Sequence, residues 1–194
     1  MKILVPTDFS SHSGSAAEFA VELARKANAS IHLLNNATYD APPTAGVLVN
    51  MTEKVAQQAR EDLSAYAKQL REQVGSDIDI SWEVTTYPKH STAIHKVSDS
   101  SGSSLIVMGS KGKSGLEGVF MGHVAYQSLT GADCPVIVIP PDCKFREEGN
   151  TLFAVDVNNI PSDESISSLG KVLDLINHSL DLLFVNVNGD EEEI

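Results

Sequence analysis

The chain is poor in cysteine, tryptophan and basic side chains. Its two cysteines, Cys134 and Cys143, stand nine positions apart among 194 residues. No CxxC or Cys/His spacing surrounds them, so neither a disulfide framework nor a zinc site is expected. Cys134 opens an apolar run and reads as a buried, inert thiol. Lys and Arg number 14 against 26 Asp and Glu, a net charge of −12. A surface for nucleic acid needs a basic patch, which this balance argues against. It leaves room for a nucleotide, which needs only a few N–H groups and a lysine or two. No apolar run approaches the length of a membrane span. Residues 1–8 turn polar too soon for a signal peptide. The expected setting is therefore a reducing cytoplasm, with neither membrane nor nucleic acid as partner. The six histidines are scattered. His90 and His95, five apart, do not share a helix face, so no metal site is expected. A Gly-x-Ser-x-Gly turn and paired carboxylates are also missing, and no catalytic residue is assigned.

What is present is ordinary for a globular chain, with 42% hydrophobic and 21% charged residues, enough for one full domain. Short apolar runs at 2–6, 31–34, 105–108 and 135–140 read as strands. Alternation of Ile78, Ile80, Trp82 and Val84 reads as another, half-buried. Between them, apolar residues recur at helical spacing over 13–28, with Ser10, Ser11 and Ser13 as N-cap candidates. Similar patterns cover 52–74, 91–100 and 124–130. Residues 35–50 hold two prolines and a glycine without a period and read as a loop. Strands alternating with helices predict an α/β fold, a parallel sheet with helices on both faces. Ligands of such sheets sit beyond the carboxyl ends of the strands.

Asp8 and Gly109 both follow strand ends and so fall on that edge. Gly109 opens a glycine loop, Gly-x2-Gly112-x9-Gly122, that leads from a strand into a helix start near His123. Glycines let the backbone approach a ligand closely, and a helix start presents unpaired N–H groups and partial positive charge. Together they suit a phosphate. The expectation is one cavity lined by the three glycines, with Asp8 on its opposite wall. Tight turns alone explain Gly115 and Gly118, and Lys111 and Lys113 read as surface residues able to screen phosphate charge. The stretch Gly112-Lys113-Ser114 imitates the end of a P-loop, but that motif's first glycine would fall at Val107, inside a strand.

Residues 151–156 echo 3–8, a helical stretch follows over 162–178, and 180–187 echo 30–36. The chain is thus read as one module over 1–143 and a partial second one, strand–helix–strand, over 151–194 with an acidic tail. Two strands and a helix bury too little to stand alone, so the fragment is expected to pack on the first module, pair with another chain, or stay mobile.

These residues resemble the universal stress protein family. The resemblance is carried by Ile3-Leu-Val-Pro-Thr-Asp-Phe-Ser10, by Val107-Met-Gly-Ser-Lys-Gly-Lys-Ser-Gly115, by Gly122-His-Val124 and by Cys134-Pro-Val-Ile-Val-Ile139. It implies a five-stranded parallel sheet of order 3-2-1-4-5, of the adenine nucleotide alpha hydrolase-like type. Members that bind ATP carry Gly-x2-Gly-x9-Gly followed by Ser or Thr. Here the glycines match, but His123 replaces the hydroxyl residue and Ala125 stands where a second is common. The resemblance implies a nucleotide-binding set of Pro6, Thr7, Asp8, Asn36, Met108, Gly109, Lys111, Gly112, Gly122, His123 and Val124. In it, Asp8 meets the ribose and adenine side and the Asn36 backbone the adenine edge. His123 either donates from a ring nitrogen or blocks the phosphate. The implied function is regulatory binding of ATP or a related adenine nucleotide, with or without Mg, by a homodimer, without efficient catalysis. The alternatives are a nucleotide-free dimeric interaction protein and, last, an adenylyl-transferring ligase, whose paired-His motif and Ser-Gly-Gly loop are missing.

Overall fold

In a computed structural model that describes residues 1–38, 48–112, 121–156, 158 and 160–185, the apolar runs of the first 140 residues become five strands. They are β1 (Lys2–Pro6), β2 (Ser30–Asn36), β3 (Ile80–Thr85), β4 (Leu105–Gly109) and β5 (Val136–Ile139). All neighbours pair in parallel, in the order β3-β2-β1-β4-β5. This is the 3-2-1-4-5 sheet that the resemblance implied. Lys113, Gly115, Gly118, most of the 35–50 loop, residues 186–187 and the acidic tail lie outside the described residues.

Both faces of the sheet are covered, which is why its strands are apolar without interruption. Leu4, Leu34, Ile106 and Met108 point to one face. There they pack on Ile94 and Val97 of α3 (His90–Ser101) and Ala125 of α4 (His123–Gly131). Their chain neighbours Ile3, Val5, Leu33, Leu105 and Val107 point the other way and are equally buried. That face carries α1 (Ser11–Ala27) and α2 (Leu48–Val74), whose Val55, Ala56 and Ala59 meet Ala37 and Val84.

Element ends follow local chemistry. Ser10, rather than Ser11 or Ser13, caps α1, accepting from Ser13 N at 3.3 Å. Asn28 closes the helix in the left-handed region at φ 47°, which asparagine tolerates better than most residues. β2 runs past the expected end at Leu34. Asn35 and Asn36 look like loop residues in sequence, but here they pair with Val84 and Thr85. The buried Asn35 amide donates to Thr7 O at 2.8 Å. α2 starts at Leu48, four residues before the apolar period becomes visible.

The chain forms two compact units, Met1–Phe145 and Arg146–Ile194. The second holds β6 (Asn150–Asp156), α5 (Asp163–Ile176) and β7 (Ser179–Val185), with β6 and β7 parallel. It repeats the opening of the first in detail. Ser162 caps α5 by accepting from Ser165 N, and Asn177 ends it at φ 55°, as Ser10 and Asn28 do for α1. Asp156 Oδ1 accepts from Asn158 N at 2.9 Å, as Asp8 Oδ1 accepts from Ser10 N at 3.1 Å. No α5 residue is buried, and Leu152 on one face and Leu182 and Phe184 on the other stay exposed.

Ile106 is fully buried on β4, one strand from the centre of the larger sheet. Ile106→Ala removes three carbons with little room for collapse and should destabilise the first unit by about 2–5 kcal/mol. Trp82, the only tryptophan, lies in that unit, so its fluorescence during urea unfolding reads the change; an unaltered midpoint would contradict this packing.

Candidate functional site

Placing β1 between β2 and β4 makes the loops after β1 and β4 neighbours at the carboxyl edge of the sheet. A cleft of about 780 Å³ opens there, within the size range of small-molecule sites. Its walls are residues 6–9 after β1, 34–38 at the end of β2, 108–112 after β4 and 121–125 at the start of α4. One face of α2 (Val55, Gln58, Ala59, Asp62) and the start of α3 (His90, Ile94) complete it. Pro6, Thr7, Asp8, Asn36, Met108, Gly109, Lys111, Gly112, Gly122, His123 and Val124, picked out in the sequence, all line this one cleft.

The turn after β1 is held tightly. Asp8 Oδ1 accepts from Ser10 N at 3.1 Å and from Ser10 Oγ at 2.5 Å. Between them Phe9 sits at φ 61°, a left-handed conformation that is uncommon outside glycine, asparagine and aspartate. Its N–H donates to Thr7 Oγ1 at 3.1 Å and its ring packs edge-on against Tyr66 at 6.4 Å. Strain of this kind persists only where surroundings fix it, and it clusters at functional sites.

Two of the glycines are there for close approach. A Cβ on Gly109 would lie 2.9 Å from the His12 carbonyl oxygen, where the start of α1 meets the end of β4. A Cβ on Gly112 would lie 2.8 Å from Asp8 Oδ2. Asp8 therefore stands beside the glycine loop, not on the opposite wall as expected. The reason is topological: β1 and β4 are adjacent strands, so their following loops touch instead of facing each other. Gly122 is the N-cap of α4 and supplies no side-chain bond; its N–H donates to Ser110 O at 2.7 Å. The first N–H groups of α4 thus open onto the cleft beside β4.

The Asn36 side chain is committed elsewhere. Its Oδ1 accepts from Thr85 Oγ1 at 2.9 Å and from Tyr87 N at 2.8 Å, and its Nδ2 donates to Tyr87 O at 2.9 Å. The same Nδ2 lies 3.3 Å from His90 Nδ1. The sequence reading missed His90, Gln58, Asp62 and Ser110. Asp62 borders the cleft from an exposed position next to the buried Leu63, so the apolar pattern of α2 did not mark it. Gln58 donates to it at 2.9 Å.

Three groups have displaced titrations among those described. Burial, with Glu18 adding to it, pushes the Tyr66 phenol up to about 12. Burial likewise raises the half-buried Cys134 thiol, in line with its reading as inert. Burial lowers His32, against the opposing pull of the Glu83 carboxylate. Among the described residues no three His, Cys, Asp or Glu side chains converge as metal ligands, and no helix is long and apolar enough to cross a membrane.

A family model described as the universal stress protein family matches residues 1–140. A universal stress protein of Methanocaldococcus jannaschii is 30% identical over 146 residues, 71% of this chain and 81% of its own. Two structures from Archaeoglobus fulgidus share the fold. One universal stress protein superposes with a TM-score of 0.66 at 20% identity, over 98% of this chain and 69% of its own. Another, solved in complex with dAMP, gives 0.51 at 21% identity, over 72% and 97%. The fold is that of the adenine nucleotide alpha hydrolase-like sheets.

The two close approaches differ in what must yield. At Gly109 the obstacle is backbone, so Gly109→Ala should cost about 1–3 kcal/mol of stability. At Gly112 it is the end of a side chain, so Gly112→Ala should leave the urea midpoint nearly unchanged while moving Asp8. Equal losses in both variants would contradict this geometry.

Proposed function

The chain belongs to the universal stress protein family, and from that premise we propose that its first unit binds ATP or a related adenine nucleotide as a regulatory ligand. The observation that carries this reading is the convergence of Asp8, Gly109, Gly112 and the α4 N-terminus on one cleft. Each part suits one part of the ligand. The N–H groups and dipole of α4 attract phosphate, and Gly109 and Gly112 let the loop beside them pack closely on His12 and Asp8. Asp8 is a hydrogen-bond acceptor for ribose hydroxyls. Val55, Ala59 and Ile94 form the apolar part of the cleft, fit for a purine ring. With its side chain committed to Thr85 and Tyr87, Asn36 has its main chain to offer the adenine edge. The dAMP held by the Archaeoglobus protein belongs to the same ligand class. Magnesium would enter with a triphosphate, since the described residues hold no cluster of their own for it.

We assign no catalytic step to this site. The Ser10 N–H and hydroxyl both donate to Asp8 Oδ1, which makes the carboxylate part of its turn. A second reading, a nucleotide-free interaction protein, is favoured by His123 and Ala125, which replace the hydroxyls common in ATP-binding members. Mass spectrometry of ligand released from purified protein separates the two, with an adenine nucleotide expected. His123→Ser adds a donor at the start of α4. A hydrogen bond to a charged group contributes roughly 1.5–3 kcal/mol, so calorimetry should read about a tenfold or greater gain for ATP. Equal or weaker binding would mean that His123 already fills that role.

We further propose a cytoplasmic homodimer in which 151–194 is part of a second module. Two surfaces support this reading. β5 is an edge strand of the larger sheet, and unpaired edges invite association. The second unit exposes Leu152, Leu182 and Phe184, and so leaves its apolar faces in need of a partner. The longer Archaeoglobus structure matches 98% of this chain with 69% of its own length, in keeping with a tandem arrangement. The full chain should scatter light at twice its own mass. A fragment of residues 1–145 keeps the Phe145 ring on Phe19 and Lys26; it should remain dimeric if β5 pairs, and become monomeric if the second unit is exchanged. A full chain that stays monomeric at high concentration would sink the dimer.

A further inference from the structure

Ser110 follows Gly109 at the end of β4 and lines the cleft, yet it is only 5% exposed. Its backbone is engaged on both sides: N donates to Ile139 O at 2.8 Å, and O accepts from Gly122 N at 2.7 Å. The residue is thereby pinned between β5 and the N-cap of α4. Its hydroxyl, in contrast, is buried with no hydrogen-bond partner among the described residues. Buried polar groups are nearly always paired, and an unpaired one costs free energy. The other buried unpaired atom, His32 Nε2, at least has the Glu83 carboxylate at 3.6 Å. For Ser110 Oγ the described residues provide no hydrogen-bond partner and no ion-pair contact.

Two unmet needs coincide at this spot. The α4 N-terminus presents backbone donors with no side chain at Gly122 to satisfy them, and one residue's hydroxyl beside it lacks an acceptor. A single tetrahedral anion answers both, since it accepts from several donors at once. We propose that Ser110 Oγ donates to a phosphate oxygen of the bound nucleotide, supplying from the β4 side the hydroxyl that His123 does not supply from α4. This rests on the nucleotide reading above and names the side chain that tells a nucleotide from a nucleoside.

The assignment separates binding from stability, because the hydroxyl has a partner only when ligand is bound. Calorimetry of wild type and Ser110→Ala with ATP, AMP and adenosine tests it, together with melting of both proteins without ligand. Ser110→Ala should weaken ATP and AMP by about tenfold or more, leave adenosine unchanged, and melt at or above wild type when ligand-free. Wild-type affinity for ATP and AMP in the variant would overturn the assignment. So would an equal loss for adenosine, or a ligand-free variant that melts well below wild type, since either makes the hydroxyl structural. A wild type that binds none of the three overturns the nucleotide reading itself, and the assignment with it.

Discussion

Everything at the cleft depends on β1 lying between β2 and β4. The chain leaves β1, adds β2 and β3 on one side, then crosses to add β4 and β5 on the other. At that reversal the connections part, and a crevice opens beyond the strand ends. The backbone contact between Gly109 and His12 keeps the β4 end against the start of α1. Asn35 fixes the other side by donating to Thr7 O across the β1–β2 junction. One wall is therefore main chain packed on main chain, and the other is main chain held by a buried side-chain amide. Such a site needs little reorganisation to meet a ligand.

The sheet was legible because parallel strands buried on both faces must be apolar at every position. Ile3 to Val5 and Leu105 to Met108 leave no other reading. The glycine loop was legible from its spacing, and at Gly109 the reason is plain, since only glycine allows the approach to the His12 carbonyl. Less visible was everything that depends on a distant partner. Asn35 and Asn36 read as loop because their polarity is satisfied by Thr7, Thr85 and Tyr87, which are remote in sequence. Asp8 was expected to face the glycines, but adjacency of strands is a property of sheet order that spacing does not carry. Ser110 was passed over for a different reason. Serine after a strand is unremarked in any sequence, and what marks this one is the lack of a partner in three dimensions.

The second unit provides an internal control for the site. It repeats the β–α–β opening down to the Ser cap, the left-handed Asn and the aspartate turn, so Asp156 holds its turn much as Asp8 does. Yet the described part of that unit contains only β6 and β7 as strands. Among the described residues of that unit, no third strand brings a glycine loop to Asp156. The aspartate turn is thus a structural way of starting a helix after a strand, and in the first unit the adjacent fourth strand sets a glycine loop beside it. In the first unit that strand is β4, and the residues that make the difference are those between Gly109 and the start of α4.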